Sequence, residues 1–378
     1  MAKDIDSRLR SLDARRKGTD RLSRVTRDSQ IEVLSKSFRE ETYIRRGTTN
    51  QKYTKYALGA MQAVDADYTR ISLEEARRVG AQLKTGFGRK NIAVDFRLQG
   101  SVPCDIHIRG VSDVDLLLID DRYCRYATMG LKAVSGYYDS PITFDTLLAL
   151  VQIRSDAEKI LQDAYPAATV DTSGAKAINL SGGSLRRPVD VIPSNWFDTI
   201  DYQTSNDEAD RGIHILNKKV PERIENLPFK HIKEISNRDR QCYGGLKKSI
   251  RLCKNVKADA EEDGPSIKFS SYDIAATMWH SNLEALSVGA ERELSILAET
   301  TRWLDFLYRN KDIANSLVVP DGSRRIFDTD EKHGALLLLS NEFDDLATKV
   351  AYEQSQTYYQ PNLNEAVETL RKSYVSAF

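Results

Sequence analysis

Three aspartates carry the chemistry that this sequence is equipped to do. Asp113 and Asp115 lie two apart in Asp113-Val-Asp-Leu-Leu-Leu-Ile119, and strand alternation sends such residues to one side, about 6 to 7 Å from each other. Val114 and Leu116 then enter the core while both carboxylates stay outside it. A third acid, Asp190, stands near the start of the strand in Arg187-Pro-Val-Asp-Val-Ile-Pro193. Three carboxylates on neighbouring strands suit two divalent cations, Mg2+ or Mn2+, roughly 3.5 to 4 Å apart, one activating an attacking hydroxyl and one neutralising a triphosphate. Gly100-Ser101 comes twelve residues before Asp113. A glycine there lets backbone N–H groups approach phosphate oxygens, and Ser101 adds a hydroxyl donor. Alone, an Asp-x-Asp pair also fits a strand end in water and Gly-Ser a plain turn; together they specify a metal and phosphate site.

The elements that must position these residues are legible as changes of period. The first ninety residues read as helix, with capping signals at Ser29-Gln-Ile-Glu32 and Ser72-Leu-Glu-Glu75 and a break at Arg45 to Asn50. Ile92 to Leu98 alternates as a strand, Gly100-Ser101 interrupts it, and Asp113 to Ile119 is a second strand. Residues 142 to 163 return to helical spacing. Lys176 to Leu180 and Pro188 to Ile192 flank Ser181-Gly-Gly-Ser184 and predict an antiparallel hairpin. Beyond residue 225 strand signals fade, and helices are expected over stretches that include 240 to 260, 271 to 287, 290 to 310 and 360 to 376.

Composition narrows the class. At 378 residues, 29% of them charged and 40% hydrophobic, the chain suits two lobes, and it holds no apolar run able to span a bilayer. The N-terminal residues lack the apolar core of a secretory signal, and Cys104, Cys124, Cys242 and Cys253 form no paired framework, so a cytoplasmic protein is expected. A net charge of zero argues against duplex DNA as the main partner. Residues 1 to 56 nevertheless hold 15 Lys or Arg against 8 Asp or Glu, including Lys3, Arg8, Arg10, Arg15, Arg16 and Lys17; this surplus reads as a solvated helical arm or as a surface for a regulatory partner. The five histidines do not cluster at ligand spacing and read as neutral structural groups.

The run Leu98-Gln99-Gly100-Ser101, the Asp113-Val114-Asp115 strand and the isolated Asp190 resemble the active site of the polymerase-β nucleotidyltransferase superfamily. Two further features look like its cyclic GMP-AMP synthase and oligoadenylate synthetase branch, in particular the bacterial cyclic-oligonucleotide synthases (CD-NTases) of CBASS antiphage signalling. Lys247, Arg251 and Lys254 form a basic helical stripe beside apolar Leu246, Ile250 and Cys253. Phe269-Ser-Ser-Tyr-Asp273 opens the next helix, where Ser270 or Ser271 could cap and exposed N–H groups favour an anion.

The resemblance spans roughly residues 90 to 290. It implies an α+β fold: a polymerase-β-like core, with a mixed twisted sheet flanked by helices, over residues 1–225 and a helical lobe over 226–378 completing the pocket. It makes Asp113, Asp115 and Asp190 catalytic metal ligands and Gln99, Gly100 and Ser101 nucleotide-binding residues. Lys254 and Ser271 would grip the triphosphate and Tyr272 stack on the base, with Lys247, Lys248 and Lys257 near enough to exchange with Lys254. The implied reaction joins nucleoside triphosphates into a cyclic di- or trinucleotide that reaches a downstream effector. Cys242 and Cys253 lack partners at zinc spacing, so neither a structural zinc nor activating nucleic acid is expected. Transfer of a nucleotide to RNA, protein or a small molecule, or non-catalytic nucleotide binding, are the other readings of the same residues.

Overall fold

The computed structural model describes residues 4–37, 40–138, 142–355 and 358–376. Four helices come first: α1 (Ile5–Lys17), α2 (Arg27–Ser37), α3 (Lys52–Met61) and α4 (Ala66–Gly88). Their starts differ from the sequence reading. The Thr26 hydroxyl caps α2 by accepting from Ser29 N at 3.2 Å, so Ser29 lies inside the helix. Ser72 is well within α4, whose N-cap is Asp65. Glu75, read as part of a capping box, is instead buried and accepts from Arg186 Nε at 2.8 Å. Capping motifs mark a helix start only if the preceding chain leaves the helix, and α4 continues through this one.

Seven strands form one mixed sheet: β1 (Val94–Gln99), β2 (Val114–Tyr126), β3 (Ala168–Asp171), β4 (Ile178–Gly182), β5 (Val189–Asp198), β6 (Gly212–Asn217) and β7 (Glu222–Asn226). The order is β1-β2-β5-β4-β3, with β6 on the later half of β5 and β7 beyond it. Among the described residues β2 and β5 run parallel and the other pairs antiparallel. The predicted hairpin is β4–β5, while β3, β6 and β7 escaped the sequence reading. Among the connections are α5 (Leu131–Val134), α6 (Thr146–Ala164) and α7 (Ile200–Ser205). Val114, Leu116 and Leu118 pack under α4 and α6 with Val79, Leu83, Phe87, Ile153 and Leu161, whereas Leu117 and Ile119 enter a separate cluster with Trp196, Ile213 and Ile215. β2 therefore presents Asp115 on the face opposite α4, as alternation requires.

The remaining helices are α8 (Pro228–Gln241), α9 (Gly245–Asp263), α10 (Ser271–Trp279), α11 (Leu283–Ser287), α12 (Leu294–Arg309), α13 (Lys311–Ser316), α14 (Asp330–Gln354) and α15 (Leu363–Lys372). The helix expected over 271 to 287 is broken into α10 and α11, and Asn282 caps the second piece. A boundary at 225 also divides a common core. Leu12 of α1 and Tyr56, Leu58 and Met61 of α3 share one buried cluster with Ile250 and Val256 of α9 and Phe343 of α14. The helical lobe is thus built from both ends of the chain.

The N-terminal arginines explain that assembly and correct the expectation of a solvated arm. Arg15 is buried, with Nη1 and Nη2 each 2.7 Å from an Asp259 oxygen and Nε 3.2 Å from Asn255 Oδ1. The Tyr56 hydroxyl donates to the same Asp259. Arg8 pairs with Glu342 at 2.7 Å and Arg16 with Glu41 at 2.9 Å, both arginines buried. Arg8, Arg15 and Arg16 are therefore withdrawn from any surface that a partner touches. Arg10 is exposed, Lys17 pairs with Asp13, and Lys3 lies outside the described residues. Among the described residues no helix is long and apolar enough to cross a membrane.

Candidate active site

The three aspartates meet where β2 and β5 begin. Register pairs Asp115 with Asp190 across the two parallel strands, and Gln99 with Asp115 on the other side. Adjacent strands bring paired Cα atoms to about 5 Å. Asp113 immediately precedes β2. Gly100 follows β1 with φ +84°, and a Cβ built there would lie 2.1 Å from Asp115 Oδ2. No other residue type fits, because both the left-handed backbone and the carboxylate exclude a side chain.

Electrostatics separate the three acids. Burial pushes the Asp115 carboxyl up to about 7, aided by the charges of Asp190 and Asp113. Burial also raises Asp190, opposed by the amide of Asn179, whose Nδ2 donates to Oδ1 at 2.5 Å. Asp113 faces two arginines, Arg21 Nη1 at 3.3 Å and Arg24 Nη1 at 3.1 Å. The carboxylates therefore stand side by side and do not enclose one point, and no ready cage of three ligands exists among the described residues. The set still fits divalent cations: all donors are hard oxygens, and the mutual repulsion that raises Asp115 is what a cation relieves.

Two cavities adjoin the acids and share Ser101, Lys254 and Ser271. The first, about 470 Å³, is lined by Asp113, Arg21, His107, Arg109, Lys257 and Glu261 among others; the second, about 310 Å³, by Gln99, Gly100, Asp115, Asn226, His231 and Tyr272. Of the nine residues assigned to the site, all line one or both cavities except Asp190, which stands beside Asp115 on β5, and of the basic stripe Lys247, Lys248 and Arg251 line neither. The Gln99 side chain accepts from Asn226 Nδ2 at 3.1 Å.

The helical lobe supplies the opposite wall, and its basic stripe behaves differently from expectation. Arg251 is buried and serves the fold: its Nε donates to Met61 O at 2.8 Å and its Nη1 to Asp105 O at 2.6 Å. Lys247 stays beside Asp239. Lys254 lines both cavities, yet its Nζ donates to Ile106 O at 2.6 Å, and burial lowers its pKa to about 8. Ser270 caps α10, its hydroxyl accepting from Asp273 N at 3.0 Å. Ser271 is left exposed at the first turn of α10 and lines both cavities. The Tyr272 ring stacks on His231 at 4.5 Å, carries the Arg324 guanidinium 5.3 Å from its centroid, and donates its hydroxyl to Asp321.

Several lining residues gave no motif. In the sequence Arg21 and Arg24 are only part of a basic stretch, and Asn179 is one strand residue among others. His107 and His231, read as structural, are indeed held neutral by burial, each lowered to about 4. Each also keeps a buried Nδ1 without a hydrogen-bond partner in the wall of a nucleotide-sized cavity.

The chain is 40% identical over 382 aligned residues to the cyclic dinucleotide synthase CdnE of Yersinia aleksiciae, with 98% of each covered. The chain belongs to the CdnE family of cyclic dinucleotide synthases. It is accordingly a CD-NTase, a nucleotidyltransferase that makes cyclic oligonucleotides. It is also similar to a c-di-GMP synthase of Lachnospiraceae bacterium, at 28% identity over 72% of this chain and 78% of that one. The fold matches the STING-associated CdnE c-di-GMP synthase from Capnocytophaga granulosa with a TM-score of 0.69 at 26% identity, covering 91% of this chain and 97% of that one. The polymerase-β-like core expected from the Gly-Ser and Asp-x-Asp residues is therefore present. No family model matches the chain.

Proposed function

We propose that this chain joins two nucleoside triphosphates into a cyclic dinucleotide at the cleft between sheet and helical lobe, as a signal in CBASS antiphage defence in the bacterial cytoplasm. The observation that carries this reading is the register of Asp115 against Asp190, closed from above by Gly100. Two cations, Mg2+ or Mn2+, held by Asp113, Asp115 and Asp190, would lower the pKa of the attacking ribose hydroxyl and neutralise the departing pyrophosphate. The chain's own groups then bind and orient. Backbone N–H groups at Gly100-Ser101 and at the first turn of α10, with the Ser101 and Ser271 hydroxyls and Lys254, take the triphosphate oxygens. Lys254 reaches them by exchanging its hydrogen bond to Ile106 O for a phosphate. Tyr272 and His231, already a stacked pair, supply an aromatic wall for the base, and Gln99 with Asn226 supplies amide groups at its edge. The product, free to diffuse, reaches an effector; the STING association of two structural relatives is in keeping with this.

The test is incubation of purified protein with the four ribonucleoside triphosphates and Mg2+ or Mn2+, with phosphatase-resistant products resolved by mass spectrometry. A cyclic dinucleotide that disappears with Asp113→Ala plus Asp115→Ala is the expected result. Linear oligomers, or label transferred to RNA or protein in place of a ring, would refute the proposal.

A further inference from the structure

Among the described residues, Asp113 is the one acid of the three that forms salt bridges within the chain. Arg21 and Arg24 take one oxygen each, at 3.3 and 3.1 Å, and neither pairs with another carboxylate among the described residues. Both come from the single 3-10 turn Thr19–Arg24, which is docked on the loop leading to Asp113. Gly110 N donates to Arg15 O at 2.9 Å, Arg109 pairs with Asp20 at 3.0 Å, and a Cβ on Gly18 would lie 2.7 Å from Val111 Cγ2. Such close seating aims the arginines at this carboxylate. The pairs are not sealed: the arginine side chains are 26% and 33% exposed and Asp113 29%, and ion pairs so wetted are weak enough for a divalent cation to displace. Arg21 also lines the cavity that holds Lys257 and Ser271, so a displaced guanidinium lies beside a space built for anions and has the bidentate geometry that phosphate prefers.

We propose that Arg21 and Arg24 are substrate-positioning residues that hold Asp113 until a cation takes it, then turn to the terminal phosphates of the nucleotide. This rests on the reading of Asp113 as a metal ligand. The pair thereby couples cation entry to triphosphate capture: neither the acid nor the arginines are fully available until the metal-bound nucleotide arrives.

The test uses nucleotide-free full-length protein, with Mn2+ binding followed by the paramagnetic resonance of free Mn2+ and with inorganic tripolyphosphate as anion probe. Arg21→Ala with Arg24→Ala is expected to bind Mn2+ about fivefold tighter and, with Mn2+ present, tripolyphosphate about tenfold more weakly. The tighter Mn2+ binding must vanish when Asp113→Asn is added, because the competition is for that carboxylate. Unchanged or weaker Mn2+ binding overturns the proposal, as does a gain that survives Asp113→Asn, which a long-range field would give. Unchanged tripolyphosphate binding overturns the transfer to phosphate. If the alanine pair does not fold, Arg21→Gln with Arg24→Gln preserves packing and carries the same expectations. Asp115→Asn in the wild-type background tests the metal site separately: equal Mn2+ affinity with and without it refutes that site, and the arginine role falls with it.

Discussion

At the scale of single residues, the site is a set of constraints on Gly100 and Asp115. Gly100→Ala places a methyl group against Asp115 Oδ2 at a left-handed backbone angle, and displacements of this size at a reacting centre cost about 100-fold in rate. A fall of that order in kcat/KM, with a thermal midpoint lowered by only a few degrees, is expected; comparing initial rates and melting curves checks it. Asp115 makes a second prediction. Its folded pKa of about 7 lies above its ordinary 3.8, so between those values the folded chain binds the extra proton and the unfolded chain does not. Stability of the cation-free protein therefore declines as pH rises from about 4 to 7 and this contribution then levels off. Asp190, also raised, acts with the same sign. Asp115→Asn removes the buried charge and should stabilise the cation-free protein at pH 8 by roughly 1 to 3 kcal/mol, with little effect at pH 4. Urea titrations at the two pH values decide this, and equal stability at pH 8 would refute it.

At the scale of elements, the strands that carry the acids were legible and those that support them were not. Asp113 to Ile119 and the β4–β5 hairpin show unmixed branched residues bounded by turn signals, so period and punctuation agree. β6 and β7 contain His214, Asn217, Glu222, Arg223 and Glu225, which blur alternation; β6 is a strand because β5 offers it an edge, and β7 because β6 does. Asp113, Asp115 and Gly100-Ser101 stand out because their spacing is local, and Asp190 because it is an acid inside an otherwise apolar strand. Arg21, Arg24 and His231 do not, since their proximity to the acids is made by tertiary packing alone, and Asn179 meets Asp190 only through the register of the β4–β5 hairpin. The basic stretch misled for a related reason: charge counts carry no burial. Arg15 of α1 shows the size of that omission. Its guanidinium and the Asp259 carboxylate of α9 are each 1% exposed, so Arg15→Ala leaves a carboxylate and the Tyr56 hydroxyl enclosed without a cation. Loss of about 3 to 5 kcal/mol is expected, read as a lowered urea midpoint, and a loss under 1 kcal/mol would show that water replaces the guanidinium.

Across the molecule, the sheet and the helices after residue 227 face each other over the two cavities and are tied by α9. Arg251 and Lys254 reach from it to the carbonyls of Asp105 and Ile106, the loop between Gly100-Ser101 and the Asp113 strand. One loop therefore joins the residues proposed for phosphate and for metal to the wall opposite, and the two sides cannot separate without moving both. Arg251→Ala, which removes one tie and leaves every cavity-lining residue in place, should raise KM for the nucleotide several-fold more than it lowers kcat. Steady-state kinetics with varied triphosphate gives that split, and an unchanged KM would mean that the loop is held by other contacts.

The union of α1 with the distal helices also sets an order of events during synthesis. Arg8 and its partner Glu342 are separated by 334 positions, and at usual ribosomal speeds this interval lasts roughly 17 to 67 s. Through that time the sheet can form around β2 and β5 and α1 can meet α3 and the loop before Asp113, but Arg15 waits for Asp259 and Arg8 for Glu342. A nascent chain thus owns its acidic residues long before it owns the wall opposite them, since α9 and α10 lie beyond residue 244, and a closed cleft waits for the last third of translation.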